Sequence, residues 1–407
     1  MYLRRRLAVG TIALLALLGA YCAIVAAAPL PELEASLEPG IETTTDFAAD
    51  TALAQAAVDA QSLPAATGWL QGEEVWSNDE GSYRIASMTK LITVLVGLEA
   101  APVEPGTDGP TYTLTEADAA LVDEVLAQDG TFAPAPVGLE LTTRQILDLI
   151  LVPSANNYAI SYARSVFGSD EAFLAAANDW LARNGLASVH IEEAAGLSDD
   201  NVATPADIVR LARIALANPL VAEIVAQSRI EIPELGEITT TNRLLGDPGV
   251  IGLKTGTTFP NGYSLVAAQQ ETFGERDLVA IAVTMDRPDS DARAADTRAV
   301  LAAMATTGQP VQLAERGARI GTVTTWTGAE VPLLVDGNLS TVIVPPEHAA
   351  RTIELGRIAI GAKGAKAGEI GAKLPTGDEK VAIVTGAEIA EPGFGWRFSH
   401  PGELFGF

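Results

Sequence analysis

The 407-residue chain is poor in cysteine, histidine and lysine, and each scarcity closes off chemistry. Its one cysteine, Cys22, lies in an apolar N-terminal run, so the rest of the chain has no disulfides. Of three histidines, His190, His348 and His400, only His190 falls in the region that carries the chemical motifs. A Ser-His-Asp hydrolase and a histidine-based metal site therefore lack their residues, and no metal or other cofactor is expected. Positive charge is also short: 26 Lys+Arg stand against 52 Asp+Glu, a net charge of −26. Nucleic acid is not a fitting partner for such a chain. An exported, soluble surface is.

Lysine is the scarcest cation, with six against twenty arginines. Only Lys90 and Lys254 precede residue 306. Arginine cannot be deprotonated in a protein, whereas lysine can. Where arginine meets nearly every need for positive charge, a retained lysine points to a task that arginine cannot perform.

Both lysines sit in short motifs. Ile85-Ala86-Ser87-Met88-Thr89-Lys90 puts a serine and a lysine three residues apart at the start of a predicted helix. Leu91, Ile92, Val94, Leu95 and Leu98 continue it with helical spacing up to Pro102. Positions i and i+3 share a helix face, so the two side chains can meet. A lysine held neutral can take the proton of the serine hydroxyl and make it a nucleophile. Ser154-Ala155-Asn156 follows Pro153, where a predicted helix capped at Thr142 or Thr143 ends at Leu151. Lys254-Thr255-Gly256 lies in a strand-like run, which puts Lys254 and Gly256 on one face. That lysine can bind a substrate carboxylate, and the glycine lets a substrate backbone come close. Each motif alone is commonplace: a helix start, a helix cap, an edge strand. The ordered set, spaced 67 residues (87 to 154) and then 100 residues (154 to 254), is specific.

Here the sequence resembles the low-molecular-mass penicillin-binding proteins that are serine-type D-alanyl-D-alanine carboxypeptidases. The resemblance covers about residues 61–305. Lesser matches are Gly196-Leu197-Ser198, Thr241-Asn242-Arg243-Leu244-Leu245 and Gly262-Tyr263-Ser264-Leu265. It implies an α/β, transpeptidase-like fold, a five-stranded sheet flanked by helices, and an acyl-enzyme mechanism on peptidoglycan stem peptides ending in D-Ala-D-Ala. Ser87 would attack the carbonyl between the two D-alanines, and Lys90 would take its proton. Lys254 would help depress the Lys90 pKa. Ser154 would relay a proton to the leaving D-alanine, and Asn156 would hold the substrate amide. Lys254 and Thr255 would bind the terminal carboxylate, with Gly256 beside them. The N–H groups of Ser87 and Thr257 would form the oxyanion hole. By its position before the last helix, Arg293 resembles a family arginine that orients the carboxylate, with Arg287 close by. β-Lactams would act as covalent inhibitors. The family often has histidine or tyrosine where Thr257 stands, and the amphipathic C-terminal membrane helix of some members is missing.

Two other readings keep the motifs. A class A β-lactamase needs a glutamate to activate water, followed shortly by an asparagine. Glu192 and Glu193 fall in that region, but Ala194-Ala195-Gly196-Leu197 follows. A penicillin-binding sensor or wall scaffold keeps the fold without turnover.

Around this region the chain divides further. Arg4-Arg5-Arg6 precede an apolar run from Leu7 to Ala28. As a helix that run measures about 33 Å, enough to cross a bilayer core. Its length favours an anchor, and Ala26-Ala27-Ala28 favours cleavage as a signal peptide. Either way the arginines stay cytoplasmic and the rest is exported, to the outer face of the bacterial membrane or the wall. Residues 29–60 read as a stalk or linker. Residues 311–407 read as a small β domain, with strands at 319–326, 330–335, 340–345, 356–361 and 380–385. The low-complexity run Gly361–Lys373 reads as a solvated turn.

Overall fold

The computed structural model describes residues 2–104, 106–258 and 262–406. Met1 and Phe407, the outer ends of the expected segments, lie outside them. The described chain forms two compact units. One comprises 50–308 with 344–346, and the other 1–49, 309–343 and 347–407.

The larger unit holds a five-stranded antiparallel sheet. Its order is Val250–Thr257, Tyr263–Phe273, Arg276–Arg287, Ala65–Trp69, Trp76–Ser77. Strand-like runs at 264–270 and 278–285 predict a hairpin around Gly274, and residues 67–78 one turning at Gly72; the first joins the second and third strands and the other the last two. Alternation along the strands divides the core between the two faces. Leu265, Ala267, Ala280 and Ala282 pack with Ala54 and Val58 of helix Ala52–Asp59 and with Val300, Leu301 and Met304 of helix Ser290–Ala305. Val266, Ala268, Ile281 and Val283 point the other way, into a larger core of helices. At its centre is helix Thr89–Ala100, in which every residue from Thr89 to Leu98 is buried. A helix apolar all round belongs inside a helical cluster, and this one carries Lys90 there.

The sequence pattern predicts helices near 115–127, 143–151, 169–184, 205–217 and 292–305, and these occur as Glu116–Leu126, Thr143–Leu151, Asp170–Arg183, Pro205–Ala217 and Ser290–Ala305. Thr142 is the cap of its helix, in a reciprocal capping box with Gln145. Helices Asn156–Phe167 and Pro219–Val225 were not anticipated. The first is rich in β-branched, aromatic and Asn residues, which weakens its local helical signal.

The second unit is built on a seven-stranded antiparallel sheet. Two expectations are corrected here. Residues 29–60 are not an unstructured stalk: Ala35–Leu37 and Thr44–Ala48 are the two outer strands of this sheet, and Ala52–Asp59 is a helix of the larger unit. The Gly361–Lys373 run is not mainly a turn. Most of it is the strand Lys366–Leu374, lying between His348–Leu355 and Gly377–Thr385, with Ala367, Ile370 and Ala372 in the core. Small alanines and glycines hide a strand from propensity, but paired on both sides they pack closely. The strand expected at 356–361 lies earlier, at His348–Leu355.

Helix Tyr2–Ala27 is the one described helix long and apolar enough to cross a membrane. Val25 and Ala28 pack on Leu404, the Tyr21 hydroxyl donates to the Phe398 carbonyl at 2.9 Å, and Arg397 donates to the Ala28 carbonyl at 2.6 Å.

Candidate active site

The chain enters the site through a single turn, Ala86–Met88, before helix Thr89–Ala100 begins. Ala86 has a positive φ of 46°, a conformation that costs a non-glycine residue about 1–3 kcal/mol and clusters at functional sites. The turn presents Ser87 at the helix mouth. Lys90, one turn later, reaches back, and its Nζ lies 2.8 Å from Ser87 Oγ. The same Nζ donates to the Ala195 carbonyl at 2.6 Å and to Asn156 Oδ1. Lys90 is fully buried, and burial lowers its pKa to about 7, against an opposing pull from the Glu193 carboxylate.

The second motif sits on a sharp bend. Helix Thr143–Leu151 stops before Pro153, and Ser154 takes a positive φ of 71°. Helix Asn156–Phe167 then begins, with Ala155 rather than Ser154 at its cap. The Ser154 hydroxyl is thus not spent on capping. It is buried and has no hydrogen-bond partner among the described residues.

Strand Val250–Thr257 forms the opposite wall and carries buried Lys254 and Thr255. Lys254 has its pKa pushed well down, first by burial, then by repulsion from Lys90 and Arg293. Burial is the largest cause for both lysines, and the repulsion between them disfavours the charged form of either one. At Gly256 a Cβ would meet the Ile85 carbonyl at 2.7 Å, so its missing side chain admits the Ser87 turn.

Arg293, on helix Ser290–Ala305, is buried and donates to the Gly256 carbonyl at 3.1 Å and to Thr257 Oγ1 at 3.3 Å. Arg287 faces away, held by Asp296 and the Pro64 and Met285 carbonyls. Of these two, Arg293 is the one at the cleft.

Ser87, Ser154, Asn156, Thr255, Thr257 and Arg293 line one cleft of about 470 Å³. Lys90 and Lys254 sit buried beneath its surface. Residues the sequence reading had not placed there complete the lining. Gln128 to Thr131 follow helix Glu116–Leu126 in a stretch with no motif. Thr240, Thr241 and Arg243 lie in or beside the Thr241–Leu245 segment, where the weak family match was the available signal. Thr241 Oγ1 lies 2.6 Å from Thr255 Oγ1.

A sequence profile described as D-alanyl-D-alanine carboxypeptidase matches residues 73–289, more than half of the chain. The chain belongs to that family. Among its relatives, a D-alanyl-D-alanine endopeptidase of Pseudomonas aeruginosa is 31% identical over 139 residues, which is 34% of this chain and 42% of that protein. D-alanyl-D-alanine carboxypeptidase DacB2 of Mycobacterium tuberculosis is 35% identical over 128 residues, 30% of this chain and 44% of that protein. The chain therefore spans under half the length of these two relatives. In three dimensions it resembles penicillin binding protein 5 from Haemophilus influenzae, with a TM-score of 0.56 at 19% identity over 81% of this chain and 97% of that one. The likeness to the Streptomyces K15 DD-transpeptidase has a TM-score of 0.52 at 22% identity and covers 59% of this chain and 95% of that one. Both likenesses are in fold.

Proposed function

We propose that the protein is a serine-type D-Ala-D-Ala carboxypeptidase acting on peptidoglycan stem peptides through an ester on Ser87. The observation that carries this reading is Ser87, at the cleft, 2.8 Å from the buried Lys90 amine with its pKa near 7, in a cleft shared with Ser154, Asn156 and Thr255.

A neutral amine has two N–H donors and one lone pair. The Ala195 carbonyl and Asn156 Oδ1 take the two donors, which leaves the lone pair for the Ser87 hydroxyl. The Ser87 oxygen attacks the penultimate D-alanine carbonyl as its proton moves to Lys90 Nζ. The N–H groups of Ser87 and Thr257 hold the oxyanion, a contribution of about 3–4 kcal/mol per donor in such sites. The C–N bond then breaks. Ser154 relays that proton from Lys90 Nζ to the departing amine, D-alanine leaves, and Lys90 is neutral again. Water, deprotonated by Lys90, cleaves the ester and regenerates Ser87.

Lys254, Thr255 and Arg293 receive the terminal carboxylate. Its negative charge favours the ammonium form of Lys254, against the burial that disfavours it. β-Lactams acylate the same serine. Glu193 does not fit the water-activating role of a class A β-lactamase, because five N–H groups already occupy its carboxylate. Helix Tyr2–Ala27 holds the enzyme on the outer face of the membrane.

The test uses the 29–407 ectodomain and a peptide ending in D-Ala-D-Ala, with labelled penicillin in parallel. D-alanine release and labelling both vanish in Ser87→Ala. Labelling of wild type without release supports the sensor reading instead, and rapid penicillin turnover without peptide cleavage supports the β-lactamase.

A further inference from the structure

Glu193 touches no reacting atom, yet it organises one side of the base. Its Oε1 accepts the N–H groups of Gly196 at 2.6 Å, Leu197 at 2.8 Å and Ser198 at 3.4 Å, and its Oε2 accepts that of Ala195 at 2.7 Å. Asn201 Nδ2 donates to Oε1 at 2.9 Å and to Thr89 Oγ1, next to Lys90, at 3.0 Å. The carboxylate thus fixes the backbone of residues 195–198 from inside the loop. Carbonyls of the same loop face the catalytic helix: Ala194 accepts from Thr93 Oγ1 at 2.6 Å, and Ala195 accepts from Lys90 Nζ at 2.6 Å. Gly196, at φ +84°, lies so close to the Ala86 carbonyl that a Cβ would overlap it.

We propose that Glu193 is a positioning residue for acyl transfer: through the 194–198 loop its carboxylate holds the Ala195 carbonyl where it fixes the Lys90 amine, lone pair toward Ser87. The proposal rests on the acyl-enzyme reading above. Without a fixed Ala195 carbonyl, rotation about Cε–Nζ lets an N–H of Lys90 point at Ser87 Oγ, and that orientation is unproductive for proton abstraction.

Glu193 also acts on Lys90 through its charge. The groups facing Lys90 are Glu193 from the loop, Lys254 from the strand and neutral Asn156 from its helix, with Arg293 reaching the cleft behind Lys254. The Glu193 carboxylate favours the ammonium form, so removing its charge lowers the Lys90 pKa below about 7.

The experiment measures kcat and KM for D-alanine release from pH 5 to 9, with Tm, for wild type, Glu193→Gln, Glu193→Asp, Glu192→Gln and Ser87→Ala. Glu193→Gln keeps the size and one acceptor oxygen but drops the charge. Its kcat falls about tenfold to a hundredfold with KM little changed, and its acid limb moves to lower pH. Glu193→Asp keeps the charge but falls short of the loop, so kcat drops while the limb stays in place. Glu192→Gln, at an exposed side chain beside His190, matches wild type. Wild-type kcat in Glu193→Gln overturns the proposal, as does a loss that follows Tm with the limb unmoved. If Glu193→Gln does not fold, Glu193→Asp decides, and a wild-type kcat there overturns it. If Ser87→Ala still releases D-alanine, the carboxypeptidase reading falls instead.

Discussion

The site turns on what lysine does when water is withheld. A solvated lysine is protonated at neutral pH and has no lone pair to give. Lys90 reaches a pKa near 7 because its helix is buried on all sides. The rate of acylation is thus expected to rise from pH 5.5 toward 8 with a midpoint near 7. The direction follows from the neutral amine being the base. Single-turnover labelling by penicillin across that range checks it, and a flat profile rules Lys90 out. Lys90→Met keeps an unbranched apolar side chain and removes the base. Labelling is expected to slow by about 10²–10⁴-fold, the usual worth of a positioned general base. An unchanged rate would leave Ser87 without its activator.

Elements, rather than residues, decide how the turn that carries the nucleophile is seated. The Ser87 turn is wedged between strand Val250–Thr257 and the 194–198 loop, and both contacts need glycine. Gly256 gives room to the Ile85 carbonyl and Gly196 to the Ala86 carbonyl. Gly256→Ala, at an ordinary strand position, adds one methyl against backbone. Overpacking of this kind costs about 1–3 kcal/mol. We expect a lower Tm and a larger loss of penicillin labelling, because the atoms that must move belong to the nucleophile's turn. Differential scanning fluorimetry beside gel labelling separates the two effects. Retained labelling with only a lower Tm would mean the turn is not the element displaced. The sequence carried the motif, the helix and the strand here. It did not carry the packing partner of either glycine, because a missing side chain leaves no local mark of what fills its space.

The whole molecule is laid out less linearly than its sequence implies. The strands Ala35–Leu37 and Thr44–Ala48 come from near the N-terminus but edge a sheet whose other strands follow residue 318. An ectodomain started at residue 50 loses both and bares two unpaired strand edges, which invite aggregation. Such a chain is expected to be less soluble than one started at residue 29; size-exclusion chromatography of the two checks this, and equal behaviour would show the outer strands to be dispensable. The packing of Val25, Ala28 and Tyr21 on the C-terminal helices Phe394–Ser399 and Pro401–Phe405 gives the apolar helix a folded partner. That favours the anchor over the cleaved signal. The full chain is expected to stay with membranes through an alkaline carbonate wash and to keep residues 2–27 by intact mass, and a mature N-terminus at residue 29 would show the opposite.

By itself the sequence determined the chemistry on offer. The scarcity of lysine, the i, i+3 spacing of Ser87 and Lys90, and the order of the three motifs are local facts, and side-chain type and period were enough to read them. Most helices of the larger unit and the strands of its five-stranded sheet were equally legible, since amphipathic period and capping residues act over a few positions. Tertiary structure alone decided which of Arg287 and Arg293 faces the cleft, why Lys90 loses its proton, and that Glu193 grips the loop beside it. It also made strands of a Gly/Ala/Lys run and of an expected stalk. These depend on burial and on how segments pack against one another, which the spacing of residue types along the chain does not record.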